Sequence, residues 1–210
     1  MIRYILLLTS FLIHLNCSPK KQLASPDYSE YIAQHQTQYM ADFIKDERAP
    51  LNEADLEHVN FYPANEALKC ECDFQRTPDA KPFDLSTYSG ITKPFRQYGI
   101  ATCNINTKKT DVHLYTNMRA IAMPMYRDHL FIPFKDYTNG EASYGGGRYI
   151  DLKTGDIKDE KVTIDFNKCY NPWCAYSDGY NCPIPPVENH FDLKIEAGEK
   201  MWTGVKKKAK

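Results

Sequence analysis

From Asp165 to Asn189 the chain reads DFNKCYNPWCAYSDGYNCPIPPVEN, with three cysteines, four prolines and four asparagines in one short stretch. Carboxylate, carboxamide and thiol groups bind or react, and prolines hold them in place. Cys174 and Cys182 enclose only Ala175 to Asn181, and a disulfide closing so small a loop contributes roughly 2–3 kcal/mol. A thiolate at Cys174 would instead act as a nucleophile. Just before the loop, Val162, Ile164 and Phe166 alternate with Thr163, Asp165 and Asn167, so on a strand Asp165 and Asn167 share the polar face.

A second polar block, IPFKDYTNGEASYGGGRYIDL, runs from Ile132 to Leu152. Arg148 on a strand needs a carboxylate, which Asp136 or Asp165 can supply, as a structural clamp or as an anion-recognition group. Asp136, Tyr144, Arg148, Asp165, Asn167 and Asn171 are expected to converge on one cavity with Cys174 and Cys182 at its rim, holding a small polar ligand. The same set could form a buried hydrogen-bonded scaffold. A hydrolase or thiol-dependent enzyme using Asp165 or Cys174 is the other functional class, and a free-thiol count separates the thiol version from a binder.

Together the two blocks resemble the DUF1684 family, a domain of unknown function, so no reaction is implied. Asp136, Thr138, Gly140, Tyr144, Gly147, Arg148 and Tyr149 carry the upstream resemblance. Asp165, Asn167, Asn171, Pro172, Cys174, Cys182, Pro183, Pro185, Pro186, Asn189 and Glu199 carry the downstream one. Cys70, Cys72, Cys103 and Cys169 stand outside the family pattern, which implies a role for Cys174 and Cys182 beyond bridging.

Cys70 and Cys72 are two apart on a predicted strand, point the same way and cannot easily pair with each other. One is expected to reach Cys103 and the other Cys169. Cys70-x-Cys72 with Cys103, or Cys174 and Cys182 with His190, offers soft ligands, yet neither has the paired spacing of a zinc site. No metal or cofactor is expected. His113, His129 and His190 read as core or surface groups, and 13% aromatic residues with 15 tyrosines read first as packing and second as a sugar-binding platform. There is no nucleophile elbow, HExxH or phosphate loop. Gly145-Gly146-Gly147 precedes a strand and reads as a bulge or close backbone approach.

The chain opens with Arg3, an apolar run of roughly ten residues and Cys17. That run is about half of what spans a bilayer, so residues 1–16 read as an export signal. The cysteine resembles a bacterial lipobox of the looser kind found in spirochaetes, because His14 and Asn16 replace the usual leucine and small residue. Lipidation at Cys17 would place the protein in a cell envelope, anchored to a bacterial membrane and facing the periplasm or the surface. Residues 17–27 read as a flexible tether, 28–205 as one domain and 206–210 as a solvated basic tail. With 26 Lys and Arg against 27 Asp and Glu, nucleic acid is not an expected partner.

Positioning these groups requires a mainly β fold. Aromatic periodicity predicts a helix over about 29–45, and Asn52 with an acid three residues on predicts a short helix ending near Val59. Strands are predicted at 68–74, 97–105, 112–116, 129–134, 148–152, 162–166 and 191–195, with turns at 107–109, 139–140 and 153–156. The expected architecture is an N-terminal helix packed on an antiparallel sheet or partly closed barrel, with a β-sandwich as the alternative. If Cys17 carries the anchor, cells grown with a palmitate analogue label the wild type and not Cys17→Ala. Equal labelling of both would refute the anchor.

Overall fold

The computed structural model describes residues 24–208. The signal segment, Cys17, tether residues 17–23 and the last two tail residues lie outside the described residues.

Helix α1 (Pro26–Lys45) begins earlier than its periodicity predicts. Ser25 caps it by accepting from the Tyr28 amide, and Pro26 fits the first turn, where no amide donor is needed. Tyr28, Ile32 and Phe43 form its buried stripe. Asn52 and Asp55 form the expected capping box, but the segment Glu53–His58 is a 3-10 helix rather than an α-helix.

Seven strands follow: β1 (Lys69–Arg76), β2 (Phe83–Ser86), β3 (Thr92–Ile105), β4 (Lys108–Asn117), β5 (His129–Phe134), β6 (Arg148–Lys153) and β7 (Lys161–Asp165). They form a single antiparallel sheet in the order β6-β5-β4-β3-β1-β7, with β2 on β3. The sheet curls into a half-barrel with the helix packed on it, and the two-sheet sandwich is not formed. A bulge between Gln97 and Gly99 interrupts the long β3–β4 pairing, which bends the strand around the core. Inside the curl lie Leu114, Ile132, Phe134, Ile150, Ile164 and Phe166. Phe134 meets Phe166 and Phe191 with ring centroids 5.6 and 5.7 Å away, and each such burial contributes about 1.5–3 kcal/mol.

Differences from the sequence expectation have local causes. β2 was not expected, because its only buried residue is Leu85, too little alternation to read. The β3–β4 turn is Asn106-Thr107, both at positive φ, which joins Ile105 to Lys108 by the tightest hairpin geometry. Residues 191–195 are not a strand. Phe191 and Ile195 are buried as their alternation predicts, but the segment bends at Asp192 and Leu193 and packs its apolar side chains into the core instead of pairing as a strand. The basic tail is also held: Lys206 pairs with Asp178 at 2.7 Å, Lys207 pairs with Asp55, and the Lys207 backbone bonds with Tyr176 and Asp178.

Cys72 lies opposite Cys103 across β1 and β3, with Cα atoms 4.4 Å apart, and the two are disulfide-bonded, as are Cys174 and Cys182. Cys70 and Cys169 do not pair; both are free and buried. The Cys70 thiol faces the Asn104 carbonyl, and the Cys169 thiol faces that of Ala197. Among the described residues no group of three or more His, Cys, Asp or Glu could hold a metal ion, and no helix is long and apolar enough to cross a membrane.

Candidate functional site

Arg148 opens β6 and points into the curl, where it is fully buried. Gly147 before it has φ +93°, and a Cβ there would meet the Phe134 carbonyl at 2.5 Å, so only glycine lets the chain enter this strand. The guanidinium donates to Asp136 Oδ1 at 3.2 Å and to the carbonyls of Ile195, Ala197 and Glu199 at 2.8, 2.5 and 3.3 Å. Asp136 Oδ2 accepts from the Ile195 amide at 2.6 Å, and Thr138 donates to both Asp136 oxygens. The clamp thus ties β6, the 136–143 turn and the 195–199 segment together.

A second network centres on Glu199. Its carboxylate accepts from the Tyr176 hydroxyl at 2.5 Å, the Tyr39 hydroxyl at 3.2 Å and the Asn171 amide at 2.9 Å. Burial pushes the Glu199 carboxyl up from its ordinary 4.5 to about 7, against the downward pull of these bonds. In a third network Asp165 Oδ1 accepts from the Tyr28 hydroxyl at 2.8 Å and from the Asn167 backbone and side-chain amides at 3.0 Å. Asp165 and Asn167 do share a face, and α1 covers it.

The six sequence-selected residues therefore do not surround one cavity. Asp136 and Arg148 form one network, Asn171 joins a second, and Asp165 with Asn167 forms a third. Tyr144 donates to the Cys174 carbonyl at 3.3 Å and lines a cleft of about 270 Å³ with Tyr88 and Lys206.

A cleft of about 500 Å³ lies on the opposite face of the sheet. Its floor is Phe131 and Tyr149 on β5 and β6, with Phe95 on β3, all buried. Its far wall is the cysteine-proline loop, through Pro172, Trp173, Tyr180, Cys182 and Pro183. Pleat alternation explains the offset from the expected site. Arg148 faces inward, so its neighbour Tyr149 faces the cleft. Asn171 turns into the Glu199 network, and its neighbours Tyr170 and Pro172 line the cleft. The Tyr149 hydroxyl donates to the Pro183 carbonyl at 2.5 Å, and the Tyr149 and Tyr170 backbones exchange two hydrogen bonds, which fixes the loop against the sheet.

Polar groups also line the cleft. His129 Nε2 lies 2.8 Å from Asp151 Oδ1, and the Tyr170 hydroxyl donates to Asp151 Oδ2 at 2.6 Å. That contact holds the imidazole ring in a fixed orientation in the cleft wall. Lys93, whose ammonium is shifted down by burial, also lines the cleft and has no carboxylate partner among the described residues. Sequence reasoning missed His129, Asp151, Tyr149, Tyr170 and Trp173 because lone histidines and abundant aromatics read as packing. The available signal was the position of Tyr149 and Tyr170 in sequence, each next to a sequence-selected polar residue, Arg148 and Asn171.

A family model described as a protein of unknown function (DUF1684) matches residues 54–200. The chain belongs to the DUF1684 family. No functionally curated protein matches it. The solution NMR structure of an uncharacterized protein from Haloarcula marismortui is similar, with 26% identity and a TM-score of 0.60, covering 82% of this chain and 97% of that one. In this DUF1684 chain Asp136, Arg148, Asn171 and Glu199 build the support behind the cleft, while Pro172, Cys182 and Pro183 build its wall.

Glu199 gives this support a pH dependence. Its folded-state pKa lies above the unfolded value, so its stabilising contribution is complete below about pH 4.5 and is lost as pH rises through about 7. In denaturant unfolding, the wild type is expected to lose roughly 2–3 kcal/mol relative to Glu199→Gln over that window. Parallel pH profiles would contradict the assignment.

Proposed function

We infer that this DUF1684 protein is an exported, lipid-anchored binding protein of the cell envelope that holds a small polar ring, of the saccharide class, in the aromatic cleft. One observation carries the reading: seven aromatic side chains and a few polar groups line about 500 Å³ between the sheet and a disulfide-closed, proline-rich loop. That volume and that mixture of apolar walls with sparse polar groups are those of small-molecule sites. Aromatic faces stack on the C–H faces of a sugar ring, while His129, Asp151, Lys93, Asn117 and Asn181 offer hydrogen bonds to its hydroxyls. The disulfide and prolines support binding by limiting the conformational freedom lost when a ligand docks. The lipobox-like sequence at Cys17 supports the anchored location.

The His129–Asp151 contact favours a catalytic reading beside this one, since an oriented imidazole in a cleft wall can accept a proton from a bound hydroxyl. The thiol version of that reading draws no support here, because Cys174 is joined to Cys182. The Asp165 version draws none from this cleft, which Asp165 does not line.

Titration calorimetry with N-acetylglucosamine, glucose and glucuronate tests the binder. At least one is expected to bind, and Trp173→Ala and the exposed-site variant Tyr126→Ala are expected to weaken it by about tenfold, the equivalent of one lost stacking contact. Absence of binding by all three, or binding unchanged in Tyr126→Ala and Trp173→Ala, would refute the saccharide assignment.

A further inference from the structure

β6 and β7 are the two edges of the sheet, and the chain past β7 meets β6 at one point, the Tyr149–Tyr170 bridge. Farther along they stay apart, and a second cleft of about 450 Å³ opens between Ile150, Asp151 and Leu152 on one side and Thr163 and Asp165 on the other, with Tyr31 of α1 beside it. We propose that this seam is a second ligand site, for a small hydroxylated anion.

The carboxylate of Asp165 supplies the first argument. The residue is only 6% exposed, yet it lines the cleft. Its Oδ1 is saturated by Tyr28 and Asn167, whereas its buried Oδ2 has no hydrogen-bond partner among the described residues. Buried carboxylate oxygens are almost always bonded. A ligand hydroxyl donor completes this one.

The second argument is charge, and it comes from different residues. Lys69, Lys158 and Lys168 line the same cleft. Lys168 bonds the Tyr31 hydroxyl, and Lys69 lies 5.4 Å from the Tyr28 ring centroid. None of the three has a carboxylate partner among the described residues. The other two acids of the cleft bond elsewhere and keep their charge: Asp151 bonds His129 and Tyr170, and Asp156 bonds the Lys153 amide. Three ammoniums with no carboxylate in ion-pair contact, beside one orphan acceptor, fit a molecule that carries a carboxylate or phosphate next to a hydroxyl. The same lysines disfavour an ammonium donor at Asp165. Asp151 lines both clefts, but His129, Trp173 and Tyr126, whose roles test the saccharide reading, do not line this one.

Titration calorimetry on the purified full chain with glycerate and glycerol 3-phosphate tests the proposal. Acetate, which lacks the hydroxyl, and glycerol, which lacks the charge, serve as truncated probes. At least one hydroxylated anion is expected to bind about tenfold more tightly than both truncated probes, and Asp165→Asn and Lys158→Ala are each expected to weaken it by at least about fivefold. Lys158 is exposed, so its variant reads binding without disturbing the core. If Asp165→Asn does not fold, Lys158→Ala and Lys168→Ala decide the matter. Vesicles of phosphatidylglycerol present the same grouping on a surface; binding to them that is lost in Lys158→Ala also supports the site and assigns its ligand to a headgroup. No binding of either soluble probe or the vesicles, or binding unchanged in Lys158→Ala, overturns it.

Discussion

A guanidinium with no access to water organises this protein. Arg148 is among the largest fully buried side chains of the chain, and a buried cation persists only where its partners are fixed around it. Those partners are Asp136 and three carbonyls of the 195–199 segment. The segment has no strand ladder of its own, and presenting carbonyls to Arg148 is what its extended backbone does. Glu199, two residues past Ala197, then carries the constraint onward to Tyr39 of α1, to Tyr176 and to Asn171 in the cysteine-proline loop.

The consequence reaches the outer face of the sheet. Fixing Arg148 inward fixes Tyr149 outward, and fixing Asn171 inward leaves Tyr170 and Pro172 against the cleft. The rigid loop is therefore held twice, by the polar network behind it and by its disulfide in front. This arrangement puts the buried polar residues and the cleft-facing residues on opposite sides of one sheet, one position apart in sequence. Asp165 stands apart from the pattern. It belongs to the support through Oδ1, it lines the seam cleft, and its buried Oδ2 has no partner among the described residues.

Much of this fold was legible from periodicity. The aromatic stripe of α1, the Asn52–Asp55 cap, the central strands, the positive φ of Gly140 and the close approach at Gly147 all rest on local sterics that a short window of sequence records. The Cys174–Cys182 disulfide was legible from loop length; strand geometry gave a bridge from Cys70 or Cys72 to Cys103 without choosing between them, and the expected bridge to Cys169 is not formed. What was not legible depended on distant partners. Phe191 to Ile195 alternates like a strand, but alternation reports which side chains are buried, not whether a neighbouring strand exists. Lys206 and Lys207 look like a frayed tail until Asp178 and Asp55 are brought to them. The cleft was misplaced because a strand pattern shows two faces without saying which is enclosed. Only the curl of the sheet assigns Arg148 to the inside.

A double-mutant cycle on Arg148 and Asp136 measures that constraint most directly. Equilibrium unfolding of Arg148→Met, Asp136→Leu and the double variant is expected to show each single change costing about 3–5 kcal/mol, because each leaves a buried charge uncompensated. The double variant is expected to cost clearly less than the sum, since neither charge then remains. Single costs below about 0.5 kcal/mol, the size of an ordinary surface substitution, or strictly additive costs would contradict the claim that this buried pair holds the fold together.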